Sequence, residues 1–174
     1  MRDLGRYKVD AVADVIQEHL LQSKTFKYHN DIAYAADKFR DVVKEVDLVI
    51  CATDNKQSRA LVNHVCVSLN KPVVLVCTFD NAKIGEIIQV RPHVTACYEC
   101  SRLHLIEKEA LLDEKDSSIR VPYTPQAHDL SGQNSRGTRT DVYIVAAMAT
   151  KVSLMMLKNT QPLVFGNMPY GYIT

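Results

Sequence analysis

Between residues 46 and 78 the apolar positions change from a continuous run to a helical spacing and then back to a continuous run. Residues 46–51 are nearly all apolar, which is typical of a strand buried on both faces. A polar Thr-Asp-Asn at 53–55 ends that run, and the next apolar positions have helical spacing: Leu61, Val62, Val65, Cys66 and Leu69. Asn-Lys-Pro at 70–72 stops the helix, and residues 73–77 form a second apolar run. This order predicts a right-handed β-α-β unit in a parallel sheet.

Asp54 is the first functional candidate because it follows the carboxyl end of a buried strand. In open α/β sheets, ligands bind outside the carboxyl ends of the strands. The same position would also suit a helix N-cap, since aspartate is a favoured capping residue. The pattern by itself does not choose between the ligand and the cap.

The first helix is predicted over residues 6–22, with Val9, Val12, Ala13, Ile16 and Leu20 on a stripe that faces a core. Lys8 lies in its first turn, where the helix dipole favours negative charge instead. Spacing favours a solvated lysine, and the alternative is a lysine that points at an anion attracted to the same helix start.

The remaining elements follow from the same periodicities. Residues 84–90 read as a strand, in which Gly85 indicates a bend or a close backbone approach. Residues 141–158 are apolar nearly all round, which predicts a helix packed on the sheet or in a dimer interface. We also expect strands at 25–29 and within 162–174, helices at 33–46 and 101–112, and a polar loop near 113–140.

Composition narrows the class of protein. A chain of 174 residues with 47% hydrophobic residues can bury one core, so we expect a single domain over 1–174. The 21 basic and 20 acidic residues nearly cancel, which gives no support for a nucleic-acid partner. No apolar run approaches the ~20 residues of a membrane span, so we expect no membrane partner. Five cysteines, an odd number, favour a reducing, cytoplasmic setting.

Four stretches of the chain resemble the ThiF/MoeB/HesA family, the prokaryotic relatives of the ubiquitin-activating enzymes. The stretches are LGRYKVDAVADVI, DLVICATDNKQSRALVNHVC, KPVVLVCTFDNAKIGEI and CYEC. The TDN block is fairly specific, whereas the lysine and the CxxC alone are not. The resemblance implies a Rossmann-like, doubly wound α/β fold with a mostly parallel sheet.

The resemblance also implies a reaction, since these enzymes use MgATP to adenylate the C-terminal glycine of a small ubiquitin-like or sulfur-carrier protein. Such a carrier ends in Gly-Gly, and the enzyme is expected to be a homodimer. Asp54 then corresponds to the aspartate that faces the triphosphate and its magnesium, and Lys8 to the lysine that holds phosphates. Asn55 lies in the same nucleotide-facing turn. Thr53 and Arg59 are weaker candidates, and Arg59 is expected on the helix surface or in a salt bridge.

The chain departs from the family pattern in its glycines, because G-x-G-x-x-G does not occur in it. In the family, that loop precedes the stretch that matches residue 6 onward. We therefore expect the later two-thirds of a ThiF domain, incomplete at the N-terminus, which alone would bind ATP poorly. Two other interpretations stay open: a non-catalytic scaffold half of a heterodimeric activating enzyme, and, more weakly, a nicotinamide-dependent enzyme.

The family's zinc site is also half present. Cys97 and Cys100 match the first CxxC, but no cysteine follows Cys100, and two thiolates do not close a zinc site. His93 and His104 flank the pair and could complete it, so zinc and plain paired thiols both remain open. Residues 101–140 contain no cysteine, so the resemblance implies that the reaction stops at the acyl-adenylate.

Overall fold

The computed structural model describes residues 3–20, 22–79, 84–107, 138–158 and 172–173. The chain divides into two compact units, Met1–Ala36 and Asp37–Thr174, and each unit is described by itself. The expected loop near 113–140 lies almost entirely outside the described residues, as does most of 162–174.

Helix α1 (Lys8–His19) lies in the N-terminal unit. Of the stripe predicted to face a core, Ala13 is buried, but Val12 is 57% exposed and Leu20 is exposed as well. The core-facing assignment of this stripe is therefore wrong for all but Ala13 and the half-buried Ile16.

The strand predicted at 25–29 is also absent, because this segment pairs with no strand in the part of the chain that the structure describes. Its polar side chains turn to α1 instead. Lys27 Nζ lies 2.8 Å from an Asp10 carboxylate oxygen, and His29 Nε2 lies 3.5 Å from the same oxygen. An alternating sequence becomes a strand only where a partner strand supplies its backbone hydrogen bonds.

The C-terminal unit begins with alternating helices and strands, as the periodicity predicts. Helix α2 (Ala36–Lys44) leads into the central unit, which is β1 (Val49–Cys51), α3 (Lys56–Ser68) and β2 (Val73–Phe79). Then follow β3 (Ile84–Val90), α4 (Tyr98–Glu107), α5 (Arg139–Leu157) and β4 (Tyr172–Ile173). Asn70 has φ 54°, a left-handed conformation that ends the helical region where the sequence predicts its stop.

The sheet has the order β1-β2-β3-β4. Strands β1 and β2 are parallel, with Val49 opposite Val73, which confirms the β-α-β unit. Strands β3 and β4 are added antiparallel, so the sheet that we expect to be mostly parallel is mixed. Strand β1 is shorter than the apolar run and lies at an edge of the described sheet. Ile50 is 55% exposed, so β1 is not buried on both faces as predicted.

Side chains from both faces of β2 and β3 enter the core, because successive residues of a strand point to opposite faces. On one face, Val74 and Ile87 pack in a cluster with four residues of α5: Val145, Ala149, Val152 and Met156. On the other face lie the buried Val73, Leu75, Ile88 and Val90, while α3 contacts β1 and β2.

Gly85 allows α5 to lie close to β3. A Cβ atom added at Gly85 would overlap Cγ2 of Val145, so the Val145 side chain would have to move. The predicted close approach at this glycine is therefore made by the Val145 side chain and not by a second backbone. Glycine is needed here because β3 and α5 leave no space for a side chain at this position.

By length and composition, α5 is the one helix of the described residues that could cross a membrane, which the sequence analysis did not expect. Five of its residues are nonetheless buried in this protein: Val145, Ala149, Val152, Ser153 and Met156. Helices that fill the core of a soluble protein pass the same test.

Candidate functional site

Residues 53–55, here called the TDN turn, connect the carboxyl end of β1 to the start of α3. Four of the residues singled out from the sequence meet here: Thr53, Asp54, Asn55 and Arg59. Their environments differ. Thr53, Asn55 and Arg59 contact other groups of the protein, whereas Asp54 is exposed.

Asn55 is the N-cap of α3. Its backbone is extended, and its side-chain oxygen Oδ1 accepts a hydrogen bond of 2.7 Å from the backbone N–H of Ser58. This contact satisfies one of the N–H groups that a helix start leaves without a partner. The alternative in which Asp54 caps this helix is therefore wrong, and the Asn55 side chain acts on the protein's own backbone.

Arg59 holds the other end of the turn. Its side chain points back along α3, and Nε and a terminal nitrogen donate hydrogen bonds of 3.1 and 3.0 Å to the carbonyl oxygen of Thr53. The residue is only 5% exposed, so the predicted position on the helix surface is wrong. A buried guanidinium with two bonds to one carbonyl fixes the direction in which the chain leaves β1.

The Thr53 side chain is turned toward the protein as well, because its hydroxyl lies 3.4 Å from the sulfur of Cys51. Asp54 differs from its neighbours, since it is exposed and no described residue makes a hydrogen bond or ion pair with its carboxylate. The TDN turn thus presents one uncommitted carboxylate from a backbone that is held on both sides.

Lys8 lies in the N-terminal unit, as the first residue of α1. It is exposed, and Tyr7 before it makes no side-chain capping bond to the helix start. The binding of phosphates by Lys8 stays a prediction.

Cys97 and Cys100 lie together at the start of α4, with their sulfur atoms 3.5 Å apart. Desolvation would raise the pKa of Cys97, but hydrogen bonds from Cys100 and from the Asn63 side chain lower it overall. The pKa of Cys100 is raised, because its thiol hydrogen-bonds to Cys97 and is repelled by negative charge there.

The described residues do not supply the rest of a zinc site. No group of three or more His, Cys, Asp or Glu side chains that could hold a metal occurs among them. Both flanking histidines, His93 and His104, are exposed. Since structural zinc needs four ligands, the two thiols by themselves do not fit this ion.

Asn63 is the residue that sequence reasoning missed. It is the second asparagine of the TDN block and is 4% exposed, and its Oδ1 accepts a hydrogen bond of 3.0 Å from the backbone N–H of Tyr98. One side chain of α3 thereby holds the start of α4. The only signal in the sequence is an asparagine at an inward-facing position of a helix, where an amide needs a partner.

The sequence comparisons agree on one family. The model described as "ThiF family" matches residues 1–169. Adenylyltransferase and sulfurtransferase MOCS3 of Culex quinquefasciatus is 30% identical over 104 residues, which are 56% of this chain and 21% of that protein. The NEDD8-activating enzyme E1 catalytic subunit of Schizosaccharomyces pombe is 29% identical over 97 residues, which are 54% of this chain and 21% of that protein. The matched stretch is thus about a fifth of the length of these relatives.

Solved structures show the same fold. The chain resembles E. coli MccB with ATP at a TM-score of 0.63 and 20% identity, covering 93% of this chain and 43% of that one. The PaaA structure is similar with a TM-score of 0.54 and 12% identity, covering 95% of this chain and 52% of that one. At these identities the likeness establishes the Rossmann-like α/β fold.

Proposed function

Because this chain belongs to the ThiF family, we propose that the protein adenylates the C-terminal glycine carboxylate of a small ubiquitin-like or sulfur-carrier protein, using ATP and Mg²⁺. The carboxylate attacks the α-phosphorus of ATP, an acyl-adenylate forms, and pyrophosphate leaves. Such a displacement requires neutralisation of the phosphate charge more than a strong base.

The observation that carries this proposal is the uncommitted carboxylate of Asp54 at the end of β1. Magnesium in nucleotide sites keeps several water ligands and takes one or two carboxylates together with the substrate phosphates. An exposed aspartate on a rigid turn suits that coordination. Had Asp54 capped α3, its oxygen would be engaged by the helix.

The other site residues take different parts in the proposal. Lys8 binds phosphate as an exposed cation at the start of α1. Asn55 and Arg59 act on the backbone of the TDN turn, and the Thr53 hydroxyl contacts the Cys51 sulfur; together these contacts set the direction of Asp54. Zinc is proposed only for a protein in which further ligands join Cys97 and Cys100.

The partner in the proposal is a carrier protein that ends in Gly-Gly. Two relatives carry the names NEDD8-activating enzyme and SUMO-activating enzyme subunit 2, the latter from Dictyostelium discoideum, and the E. coli MccB structures include a complex with an MccA peptide. We further propose a homodimer in a reducing, cytoplasmic compartment. The exposed apolar residues of α5 support the dimer: Val142, Tyr143, Ile144, Leu154 and Leu157.

A second candidate function is a scaffold half that keeps the fold and leaves ATP binding to a partner subunit. The sequence feature that favours it is the lack of a G-x-G-x-x-G loop in these 174 residues. The exposed Asp54 favours the enzyme, because a subunit that binds no nucleotide has no need of it.

ATP–pyrophosphate exchange in the intact protein separates the two functions. We expect exchange that depends on a carrier ending in Gly-Gly and is lost with a carrier truncated by those two glycines. The Asp54→Ala variant should abolish exchange, while Asp47→Ala, a change at an exposed aspartate before β1, should leave it unchanged. Folded protein that catalyses no exchange with any such carrier would favour the scaffold.

A further inference from the structure

One peptide group of the TDN turn is held by the buried guanidinium of Arg59. The carbonyl oxygen that accepts its two hydrogen bonds, from Nε at 3.1 Å and from a terminal nitrogen at 3.0 Å, belongs to Thr53. The N–H of the same peptide group belongs to Asp54, because a peptide unit joins the carbonyl of one residue to the nitrogen of the next. Arg59 therefore acts on the backbone of Asp54 as well as on the carbonyl that it touches.

The Asp54 N–H points away from Arg59. None of the described peptide bonds is cis, and in a trans peptide the C=O and N–H bonds point in opposite directions. Arg59 is only 5% exposed whereas Asp54 is exposed, so this N–H is directed from the buried guanidinium toward the outer side of the turn. Within the described ranges, no acceptor takes a hydrogen bond from it.

The positive charge of Arg59 strengthens this donor. A guanidinium is always protonated in a protein, and its hydrogen bonds to a carbonyl are charge-assisted. Such bonds draw electron density toward the carbonyl oxygen and leave the N–H of the same peptide more positive. Cooperativity of this kind strengthens a hydrogen bond by roughly 10–30%. Helix α3 acts in the same sense, because the positive end of its dipole lies beside the turn.

We propose that the Asp54 N–H donates a hydrogen bond to a phosphate oxygen of ATP, and that Arg59 is the positioning residue that aims and polarises this donor. The contact presupposes the proposed function and adds to the same site a bond that needs no metal. Asp54 then acts twice, since its carboxylate binds Mg²⁺ and its N–H binds an anionic oxygen of the same polyphosphate. Arg59 acts through the peptide, because it is buried and two of its nitrogens are bonded to Thr53.

Nuclear magnetic resonance of the intact protein, isotope-labelled at its aspartate nitrogens, tests the contact directly. The Asp54 amide is the resonance that disappears in the Asp54→Asn variant, and the wild-type protein is titrated with ATP in EDTA. We expect the Asp54 amide proton to move downfield, because a charge-assisted bond to an anionic oxygen is short and deshields the proton. The amide of Asp47, an exposed residue before β1, should not move.

Calorimetry of ATP binding in EDTA tests the part played by Arg59. The affinity should fall roughly 2- to 10-fold in Arg59→Met, the range that one hydrogen bond contributes, and by less in Arg59→Lys, which keeps the charge. The control Arg40→Met removes the same charge from α2 and should leave the affinity unchanged. Asp54→Asn keeps its backbone N–H, so in EDTA it should bind ATP at least as tightly as the wild-type protein.

The outcomes distinguish this contact from the proposed function. Intact wild-type protein that binds no ATP would overturn both. ATP that binds in EDTA while the Asp54 amide proton stays in place would overturn the contact alone. Wild-type affinity in folded Arg59→Met would overturn the role of Arg59. If circular dichroism shows that Arg59→Met does not fold, wild-type affinity in Arg59→Lys overturns that role instead.

Discussion

Asp54 and Asn55 are adjacent in the TDN turn, yet only Asn55 contributes its side chain to the fold. Replacing Asn55 by alanine removes the bond to the Ser58 N–H and should lower the free energy of unfolding by about 1 kcal/mol. Replacing Asp54 by alanine should change it by less than about 0.5 kcal/mol, because its carboxylate makes no bond to the part of the chain that the structure describes. Urea unfolding of the two variants measures both effects.

The conservative change Asn55→Asp serves as the control for the capping effect. Aspartate caps a helix about as well as asparagine, so stability should return to near that of the wild-type protein. Equal losses of stability for Asp54→Ala and Asn55→Ala would contradict the division of roles in the turn.

The reactivity of Cys66, on α3, reports whether this face of the helix is packed in the core. Burial, together with the nearby Cys51, raises the pKa of its thiol to about 12 from an ordinary value of 9.0. In native protein at pH 8 we therefore expect iodoacetamide to modify Cys100 quickly and Cys66 only after unfolding, as peptide mass mapping would show.

The same pKa shift has a consequence for stability. A thiol whose pKa is raised by folding holds its proton more tightly in the native state, so its contribution is complete below pH 9 and declines as the pH rises toward 12. The Cys66→Ala variant should lack this decline. Alkylation of Cys66 at the rate of Cys100 in folded protein would show that the helix face is not packed as described.

For single residues, the sequence predicted which residues form the candidate site but not the role of each one. Asp54 followed from its place after an apolar run, whereas asparagine and aspartate cap helices equally well, and a shift of one residue exchanges their roles. The buried position of Arg59 could not be predicted, because arginine is almost never fully buried unless it is paired. One of its partners is the Thr53 backbone carbonyl, which has no signature in the sequence.

Among the elements, the contact between β3 and α5 depends on Gly85. The Gly85→Ala variant should be destabilised by about 1–3 kcal/mol, since its new methyl group would overlap the Val145 side chain. The measurement is the midpoint of urea unfolding at constant m-value.

A double-mutant cycle tests the cause of that loss. In a Val145→Ala background, the space opposite residue 85 is free, and the Gly85→Ala change should cost clearly less than it does alone. Additive effects of the two substitutions would contradict contact with the Val145 side chain as the cause of the loss.

Periodicity predicted the helices and the inner strands because those patterns report which face meets a core. The helix that follows Asp54, the strand at 84–90 and the helix near 141–158 are all present. The segment at 25–29 fails because alternation indicates only that a strand would suit the sequence, while a partner strand decides whether it forms. The exposed Ile50 reflects the same fact, since the outer edge of β1 has no neighbour in the described sheet.

For the whole molecule, the outer side of α5 remains to be explained. Its inner side fills the core, and its outer apolar residues include Ile144, which is 55% exposed. If a second copy covers this side, then Ile144→Lys should shift sedimentation from dimer to monomer. The matched change Leu103→Lys, at an exposed leucine of α4, should leave the dimer intact. A wild-type monomer at high micromolar concentration would contradict the proposed homodimer.

The central claim is that Asp54 binds magnesium and the polyphosphate of ATP, and calorimetry of ATP binding by the intact protein tests it most directly. Each titration is run with Mg²⁺ and with EDTA, for the wild-type protein, Asp54→Asn and the control Asp47→Asn. We predict that Mg²⁺ strengthens ATP binding in the wild-type protein and in Asp47→Asn, and that this gain is lost in Asp54→Asn. The same Mg²⁺ dependence in all three proteins would contradict the account.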